Sequence, residues 1–481
     1  MSQSAVEVAG AFEADGALAH ALPAFRPRRG QQQLAITIAE CLETGEDLVA
    51  EAATGTGKTM AYLVPVLLRD ARFILSTGTL NLQDQLFRRD LPIALNALGL
   101  ERRVALLKGR SNYLCLQRLE QHLSAEQAGS ANYEDLVQIR AWSRRTETGE
   151  TSEVDAISSD SPVWPLVTST QDNCLGSDCP KFSQCHLVRA RRQAQDADIV
   201  VVNHHLLFAD LALKQTGFGE VLPGASAVVI DEAHQVPETA MRFFSRGISA
   251  WQVRELTRDS LAACGDAAGS LALLQTPVSE LKSSLEQVVG AFHDLAPRGE
   301  FERLSRILPG LDQLRTRLQT LTAALEPLAE QTRDLASCAD RAEKLAQGLA
   351  GFLTGEAGYV RWYQHRRGRF QLHLTPLDVA GPLNELREQV PGCWIMTSAT
   401  LAVAGRFGHF TDRLGLSGAR ELVIESPFDY PKQTRLWLPE RLPDPRDPSY
   451  TETLLGKILP VLRTSRGRAF LLFTSHRALR R

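Results

Sequence analysis

The segment AATGTGKT at residues 52–59 constrains the fold of this 481-residue chain more than any other feature. It follows a short apolar run at Leu48–Glu51 and precedes a helical pattern at Lys58–Leu68. Gly55 and Gly57 allow the backbone to curl so that successive N–H groups point toward phosphate oxygens. The N-terminus of the following helix adds a partial positive charge. This strand–loop–helix context predicts a phosphate-binding P-loop in a parallel α/β domain.

The residue types in the loop indicate how it would hold a nucleoside triphosphate. Lys58 is expected to reach the β- and γ-phosphates, and the hydroxyl of Thr59 is expected to ligate Mg²⁺. The remaining phosphate contacts are expected from five loop residues: Ala53, Thr54, Gly55, Thr56 and Gly57. A glycine-rich turn that binds nothing is the alternative interpretation, and the Lys-Thr pair in this context argues against it.

Short apolar runs alternate with helical patterns through the first part of the chain. The runs are brief, rich in β-branched residues and bounded by turn residues, which is typical of buried parallel strands. They lie at Leu48–Glu51, Arg72–Ser76, Ile199–Val202 and Ala227–Ile230. The helical patterns between them lie at Gln31–Leu42 and Lys58–Leu68. This alternation predicts a doubly wound α/β domain with helices on both faces of a parallel sheet.

A second chemical motif, VVIDEAH at residues 228–234, ends one of these apolar runs. The run would deliver Asp231 to the edge of the sheet, where its carboxylate can hold Mg²⁺ through water ligands. Glu232 would orient or deprotonate the attacking water, and His234 would lie near the γ-phosphate. The DEAH tetrapeptide alone is a modest signal. Downstream of a P-loop, it strongly indicates nucleotide hydrolysis.

Two insertions interrupt the α/β pattern. The first extends from about Gly109 to Arg192, and the second from about Pro237 to Leu374. The middle of the second is rich in Leu, Ala, Gln, Arg and Glu at helical spacing, and residues 312–353 contain one proline, which predicts long antiparallel helices. The α/β pattern returns at Cys393–Leu401, and a last apolar strand is predicted at Ala469–Phe473.

Composition and charge narrow the function classes only slightly. The 53 basic and 56 acidic residues sum to −3, so no global basic field indicates nucleic-acid binding, although a local basic track would be sufficient. No apolar run reaches the roughly 18 residues that a membrane span requires. The N-terminus also lacks the basic start and apolar core of a secretory signal. We therefore expect a cytoplasmic protein that does not associate with a membrane.

The eight cysteines are distributed unevenly. Cys174, Cys179 and Cys185 lie within twelve residues, and Cys115 precedes them in the same insertion. Four thiolates can enclose either Zn²⁺ or an iron–sulfur cluster, and unrelated free cysteines are the third interpretation. No gap between them has the CxxC spacing of a zinc ribbon. The other four fall in helical or strand patterns and are predicted core residues: Cys41, Cys264, Cys338 and Cys393.

Five further segments, taken with the two motifs above, resemble the XPD-type branch of superfamily 2 DNA helicases, and most closely its bacterial DinG/YoaA-like members. FRPRRGQ at 25–31 resembles the family segment that contacts adenine, and STGTLNLQDQ at 76–85 resembles the segment that touches the DNA backbone. VVNHHLL at 201–207 resembles the segment that follows the cluster domain. TSATL at 397–401 resembles the segment that couples hydrolysis to DNA movement, and LFTSH at 472–476 resembles the start of the second motor domain. The resemblance implies that Arg28 and Gln31 contact the adenine.

The resemblance also implies a domain organisation: a RecA-like P-loop domain with an Fe–S insertion, a helical arch insertion and the start of a second RecA-like domain. The first RecA-like domain would comprise residues 1–108, 193–236 and 375–440. The Fe–S insertion would be residues 109–192, the arch residues 237–374, and the second domain would begin within residues 441–481. The resemblance favours a 4Fe–4S cluster over zinc, with Cys115, Cys174, Cys179 and Cys185 as its ligands.

The implied function is that of an ATP-dependent DNA helicase that moves 5′→3′ in DNA repair or replication. Its cofactors would be ATP, Mg²⁺ and the 4Fe–4S cluster. Its partners would be single-stranded DNA, forked or gapped duplex DNA, and replication or repair proteins, and it would act as a monomer. His234 would report the nucleotide state to the rest of the motor.

Two other function classes stay open. One is an ATP-gated nucleic-acid-binding module that does not translocate. It is consistent with a chain that ends at Arg481 and contains no Gln-x-x-Gly-Arg box, so we expect a fragment of a longer protein or a truncated gene with little turnover of its own. The other is an Fe–S redox sensor with a regulatory P-loop, and the coupling segment at Thr397–Leu401 argues against it.

Four residues near the motifs have two interpretations each. Tyr113 and Phe182 have aromatic faces that can stack on bases, but local packing under the cluster is favoured. His204 and His205 follow a buried strand, and we expect a role in packing or DNA contact rather than metal binding.

Overall fold

In the computed structural model, the apolar runs form strands because each is short, β-branched and covered on both faces. The structure describes residues 2–125, 132–170, 173–215, 221–264, 269–366, 368–388, 392–473 and 479. The strands are β1 (Leu48–Ala52), β2 (Phe73–Thr77), β3 (Val104–Leu106), β4 (Ile199–Asn203), β5 (Ala227–Asp231), β6 (Arg246–Ser249), β7 (Arg298–Glu300), β8 (Tyr359–Arg366), β9 (Arg369–Pro376), β10 (Cys393–Ser398) and β11 (Arg420–Ile424).

The α-helices lie between and around these strands, and a π-helical turn at Leu86–Asp90 joins two of them. They are α1 (Gln3–Ala11), α2 (Ala17–Ala21), α3 (Arg29–Thr44), α4 (Lys58–Leu68), α5 (Leu80–Gln85), α6 (Leu91–Leu98), α7 (Leu116–Ala125), α8 (Tyr133–Ser143), α9 (Trp164–Val167), α10 (His186–Asp196), α11 (His204–Gln215), α12 (Val236–Phe244), α13 (Ala250–Ala262), α14 (Ser270–Ala291), α15 (Leu308–Leu325), α16 (Arg333–Thr354), α17 (Ala380–Glu388), α18 (Gly408–Leu414), α19 (Tyr430–Gln433) and α20 (Tyr450–Thr464).

Seven strands form one parallel sheet in the order β11–β1–β10–β5–β2–β4–β3. Successive residues of β1 point to opposite faces, so Val49 joins one hydrophobic core while Leu48 and Ala50 join the other. Helices α3 and α4 pack in the core that contains Leu48 and Ala50. Helices α11, α12, α17 and α18 pack in the core that contains Val49. The predicted doubly wound α/β fold is therefore confirmed.

The predicted strands at β1, β2, β4, β5 and β10 are confirmed, as are the helices α3 and α4. Strands β3 and β11 were not predicted. β3 has only three residues, and β11 is an edge strand in which only Ile424 is buried, so neither produces a long apolar run.

The two insertions have hydrophobic cores of their own. In the first, α7, α8 and α9 pack around Leu119, Leu136 and Ile139. In the second, α13, α14, α15 and α16 pack together, with Leu281 and Leu318 among the buried side chains, as the helical spacing predicted.

The second insertion also contains an antiparallel sheet in the order β6–β9–β8–β7, which the sequence did not predict. Its central strands β8 and β9 carry several charged residues, and mainly alternate residues such as Phe370, Leu372 and Leu374 are buried. The edge strands are short and distant in sequence. Their pairing is therefore a property of the tertiary fold.

Among the described residues, no helix is both long enough and apolar enough to cross a membrane.

The chain divides into two compact units, residues 1–427 and 428–481. The second unit contains α19 and α20, and the strand predicted at Ala469–Phe473 is wrong. No described strand pairs with it, and the side chains of Phe470 and Leu472 are 96% and 93% exposed. Residues 474–476 of the predicted LFTSH segment lie outside the described residues.

Candidate functional site

The order of the parallel sheet brings three predicted motifs to one edge. Strand β10 lies between β1 and β5, with Glu51 paired to Ser398 and Thr397 paired to Asp231. Because parallel strands end on the same side of a sheet, the P-loop, the DEAH residues and the segment after β10 all lie at the carboxyl edge. We call this region the nucleotide edge.

The P-loop curls at two glycines whose φ angles, 84° at Gly55 and 89° at Gly57, lie in the left-handed region. A Cβ on Gly57 would also approach the Nε2 atom of Gln31 to 2.3 Å. Helix α4 begins at Lys58, directly after the loop, so the free N–H groups of its first turn belong to the same site. The Lys58 ammonium donates to the Ala52 carbonyl at 3.3 Å.

The segment before α3 clamps the P-loop from one side. The Arg28 guanidinium donates to the Gly55 carbonyl, and Gln31 Nε2 donates to the Gly57 carbonyl at 2.9 Å. A cavity of about 620 Å³ lies beside this clamp. Its other wall is the end of β11 and the residues after it, Val423 to Pro427. Sequence reasoning missed this wall because no motif marks it.

Asp231 ends β5 and is held by two hydrogen bonds. The Glu232 N–H donates to its Oδ1 at 2.9 Å, and the Tyr62 hydroxyl donates to its Oδ2 at 3.2 Å. Burial raises the pKa of Asp231 to about 6, and the neighbouring Glu232 carboxylate adds to that increase. A carboxylate in this environment is stabilised by a bound cation, because a cation offsets both effects. Tyr62 is a site residue that sequence reasoning missed, since it lies on the apolar face of α4.

Glu232 and His234 face the end of β10. His234 Nδ1 lies 2.8 Å from Ser398 Oγ and 3.3 Å from Glu232 Oε2. Ser398 Oγ also lies 3.5 Å from Glu232 Oε2. The last residue of β10 is therefore in direct contact with the two DEAH side chains whose orientation hydrolysis would require.

Glu51 is a second residue that the motifs did not identify. Its Oε2 atom accepts the N–H groups of Leu401 and Ala402 at 2.5 and 2.6 Å. A carboxylate near the end of an otherwise apolar strand was the available signal. Glu51 fixes the turn after β10 against the strand that leads into the P-loop.

The four clustered cysteines lie in the first insertion, outside the nucleotide edge. Cys115 directly precedes α7, and the other three lie on the loops and short turns before α10. All four are free and partly exposed, and they line one cavity of about 210 Å³. Within the described ranges, no three His, Cys, Asp or Glu side chains are grouped as a site for one metal ion. The other four cysteines are buried, as predicted.

Tyr113 and Phe182 are the two aromatic residues that line this cavity, among the residues that the structure describes. Tyr113 is buried, and its hydroxyl accepts the Lys108 N–H at 3.1 Å, so it packs under the cavity rather than presenting a face for stacking. Phe182 is partly exposed and lines the cavity. Burial raises the pKa of the Cys115 thiol to about 11.

Comparisons with known proteins found similar sequences and solved structures. The DEAD/DEAH box helicase family model matches residues 29–133, and the DEAD_2 model matches residues 169–253. The ATP-dependent DNA helicase YoaA of Escherichia coli is 40% identical over 480 residues, which cover 98% of this chain and 74% of that protein. The ATP-dependent helicase DinG of Mycobacterium tuberculosis is 32% identical, covering 94% and 72%. A solved structure of S. tokodaii Xpd4 is 14% identical, with a TM-score of 0.47 over 94% of this chain and 72% of that one.

Proposed function

The chain belongs to the YoaA and DinG family of ATP-dependent DNA helicases, and we propose that it moves 5′→3′ along single-stranded DNA in repair or replication. The observation that supports an ATP-driven motor is the convergence of the P-loop, the DEAH residues and the end of β10 at one edge of a parallel sheet. The polarity and the cellular process rest on the sequence resemblance alone.

Within this proposal, each residue of the nucleotide edge has its own role in the binding or hydrolysis of Mg·ATP. Lys58, which donates to the Ala52 carbonyl, would bind the β- and γ-phosphates. Thr59 and Asp231 would hold the magnesium ion, which would offset the charge of the phosphates. Glu232 accepts the proton of the attacking water, and His234 transmits the orientation of Glu232 to Ser398 and β10. Hydrolysis of the terminal phosphoanhydride bond supplies the free energy for movement.

We assign the base of the nucleotide to the cavity beside the clamp. Arg28 and Gln31 already hold the Gly55 and Gly57 carbonyls, so a base in this cavity would contact residues that also set the shape of the P-loop. This arrangement would make phosphate binding depend on the base. The loop residues Ala53, Thr54 and Thr56 complete the proposed phosphate contacts.

We propose that Cys115, Cys174, Cys179 and Cys185 hold a 4Fe–4S cluster. Their convergence on one cavity from separate loops supports this assignment, and four thiolates are the usual ligands of such a cluster. Arg110, Arg118 and Arg191 line the same cavity and would offset the negative charge of the thiolates.

We further propose that the DNA substrates include forked and gapped duplexes, that replication or repair proteins are partners, and that the chain acts in the cytoplasm as a monomer. Family membership supports DNA as the substrate. The segment at 76–85, which resembles a DNA-contacting motif, begins on β2 and continues into α5 at the same carboxyl edge.

Strand displacement tests the proposal directly. The natural gene product is incubated with Mg·ATP and duplexes that carry either a 5′ or a 3′ single-stranded tail, with Lys58→Ala as the matched control. We expect single-stranded DNA to stimulate ATP hydrolysis and only the 5′-tailed duplex to be unwound. Preference for the 3′ tail would overturn the polarity, and stimulated hydrolysis without displacement would favour the ATP-gated binding module.

Iron analysis tests the cluster. Anaerobically purified protein should contain about four irons per chain and show broad thiolate-to-iron absorption near roughly 400 nm. Cys174→Ser should lower the iron content, whereas Cys338→Ser should not, because Cys338 is buried among the arch helices. A colourless protein with stoichiometric zinc would contradict the cluster.

A further inference from the structure

A buried histidine lies under the DEAH residues and has no assigned role in the reaction. His204 is the first residue of α11, directly after β4, and it is 1% exposed. Its Nδ1 atom lies 2.7 Å from the hydroxyl of Ser76, which is equally buried on the neighbouring strand β2. Ser76 pairs with Ile230 of β5, so the two side chains lie beside the strand that delivers Asp231.

The other ring nitrogen faces the DEAH turn, which we define as Asp231–His234. His204 Nε2 is buried without a partner of good hydrogen-bond geometry among the described residues, and the backbone of Asp231 and Glu232 lies against the ring. A neutral imidazole ring carries one N–H. Backbone carbonyls only accept hydrogen bonds, so this hydrogen lies on Nε2 and Ser76 donates to Nδ1.

The DEAH turn has a backbone conformation that requires support. Glu232 has a φ of 56°, in the left-handed region that residues other than glycine rarely adopt. Such a conformation persists only where the surrounding structure holds it. On the side of the turn that faces the end of β10, the Glu232 side chain contacts Ser398 and His234. On the opposite side, the ring of His204 lies against the backbone of the turn.

We propose that His204 is a positioning residue for ATP hydrolysis, which together with Ser76 supports the DEAH turn from below and keeps Glu232 aimed at the attacking water. The proposal rests on the proposed function in so far as Glu232 acts on Mg·ATP. The nucleotide contacts proposed for the P-loop do not involve His204. Its loss should therefore reduce turnover and leave nucleotide affinity unchanged.

Amide hydrogen exchange tests the support without requiring catalysis. In His204→Ala, peptides that cover the DEAH turn should exchange at least about tenfold faster than in the unaltered chain, while P-loop peptides exchange at the same rate. The neighbouring His205 is exposed, so His205→Ala is the matched control and should change neither. Unchanged exchange at the DEAH turn in a His204→Ala chain whose P-loop peptides are still protected would overturn the proposal.

Steady-state ATP hydrolysis with single-stranded DNA gives the second readout. We expect kcat to fall about tenfold or more in His204→Ala, with the Kd for a fluorescent ATP analogue within twofold of the unaltered chain. His204→Gln retains a nitrogen near the position of Nε2 and should restore most of the turnover, whereas His204→Asn retains only the position that faces Ser76 and should not. Ser76→Ala should produce an intermediate loss.

The two hypotheses fail in distinguishable ways. An unaltered chain that does not hydrolyse ATP with DNA would contradict the proposed function, and the exchange measurement would still decide the role of His204. If the unaltered chain is active and His204→Asn and His204→Gln are equally impaired, the assignment of Nε2 to the DEAH turn is wrong. A parallel loss of nucleotide affinity would indicate a general packing role instead.

Discussion

The nucleotide edge and the junction between the two insertions both concentrate charged residues, but they arrange them in opposite ways. At the nucleotide edge, Lys58 has no salt bridge among the described residues and donates only to a backbone carbonyl. Asp231 accepts hydrogen bonds from a backbone N–H and a tyrosine. These charged groups are therefore available to a ligand.

At the insertion junction, the charges are paired with one another. Arg118 of α7 lies 3.4 Å from Glu255 and 3.5 Å from Asp259, both on α13. Arg341 of α16 lies 2.7 Å from Asp259 and 3.8 Å from Glu255. The four side chains are between 4% and 12% exposed. Arg118 is three residues from Cys115, so this network joins the cysteine-bearing insertion to the arch helices.

The difference shows how to separate a chemical site from a structural one. Buried ions are tolerated in a core only when other ions satisfy them, and removal of one partner leaves an uncompensated charge. Glycine loops and strand ends can hold a charge that has no ionic partner. Such a charge is stabilised when a ligand binds. We therefore expect substitutions at the nucleotide edge to affect activity and substitutions at the junction to affect stability.

The largest expected effect is at the nucleotide edge. Lys58→Ala should lower ATP hydrolysis by about a hundredfold or more, because the ammonium stabilises charge that develops on the phosphates. The unfolding midpoint should change little, since among the described residues the Lys58 ammonium donates one long hydrogen bond, to the Ala52 carbonyl. Turnover assays and urea unfolding measure the two quantities. Unaltered turnover in a folded variant would remove the distinction between the regions.

At the junction, Arg341→Met should destabilise the chain by about 3 kcal/mol or more, because it leaves Glu255 and Asp259 without one of their two cations. Nucleotide affinity should not change. The matched control is Arg333→Met on the same helix. Arg333 pairs with Asp178 but is 69% exposed, so its loss should change the free energy of unfolding by less than about 1 kcal/mol. Equal effects of the two substitutions would contradict the structural role of the buried network.

The junction should also make stability depend on pH. Burial raises the pKa of Glu255 to about 7, the nearby Asp259 raises it further, and Arg118, Arg341 and Arg258 oppose the increase. Between about pH 4.3 and pH 7, Glu255 therefore keeps its proton in the folded state and has released it in the unfolded state. Stability from this group is present below the unfolded pKa of about 4.3 and is lost as the pH rises toward 7. We expect a decrease of about 3 kcal/mol over that range.

Glu255→Gln tests this dependence, because the amide cannot ionise. Urea unfolding between pH 5 and 7.5 should show a smaller decrease in stability than the unaltered chain. Glu286→Gln, which alters an exposed carboxylate paired with Arg254, should retain the full decrease. A pH profile that Glu255→Gln leaves unchanged would assign the titration to another group.

The smallest expected effect is that of Glu51→Gln, which tests whether a charge at the nucleotide edge can be structural. Glu51→Gln should cost about 1 kcal/mol of stability, because a neutral amide oxygen accepts the Leu401 and Ala402 N–H groups less strongly than a carboxylate does. ATP affinity should stay the same, as measured by titration with a fluorescent analogue. A larger change in affinity than in stability would make Glu51 part of the nucleotide site.

The sequence by itself determined most of the parallel sheet and the strand ends at which the P-loop and DEAH motifs lie. Strands β1, β2, β4 and β5 and helix α4 each follow from a local pattern of residues, because apolar runs and glycine-containing turns act over a few neighbours. The P-loop and DEAH motifs were recognisable for the same reason, since each is a contiguous segment at the end of a strand.

Only the tertiary structure decided which distant residues meet. Ser76 and His204 are 128 residues apart, and Arg118 and Glu255 are 137 residues apart. The pairing of β6 with β9 and the position of Glu51 against the turn after β10 depend on the same long-range packing. No local pattern marks such contacts, because each residue alone has the features of an ordinary polar side chain. Packing of the whole domain removes both partners from water, and it is this burial that makes their pairing specific.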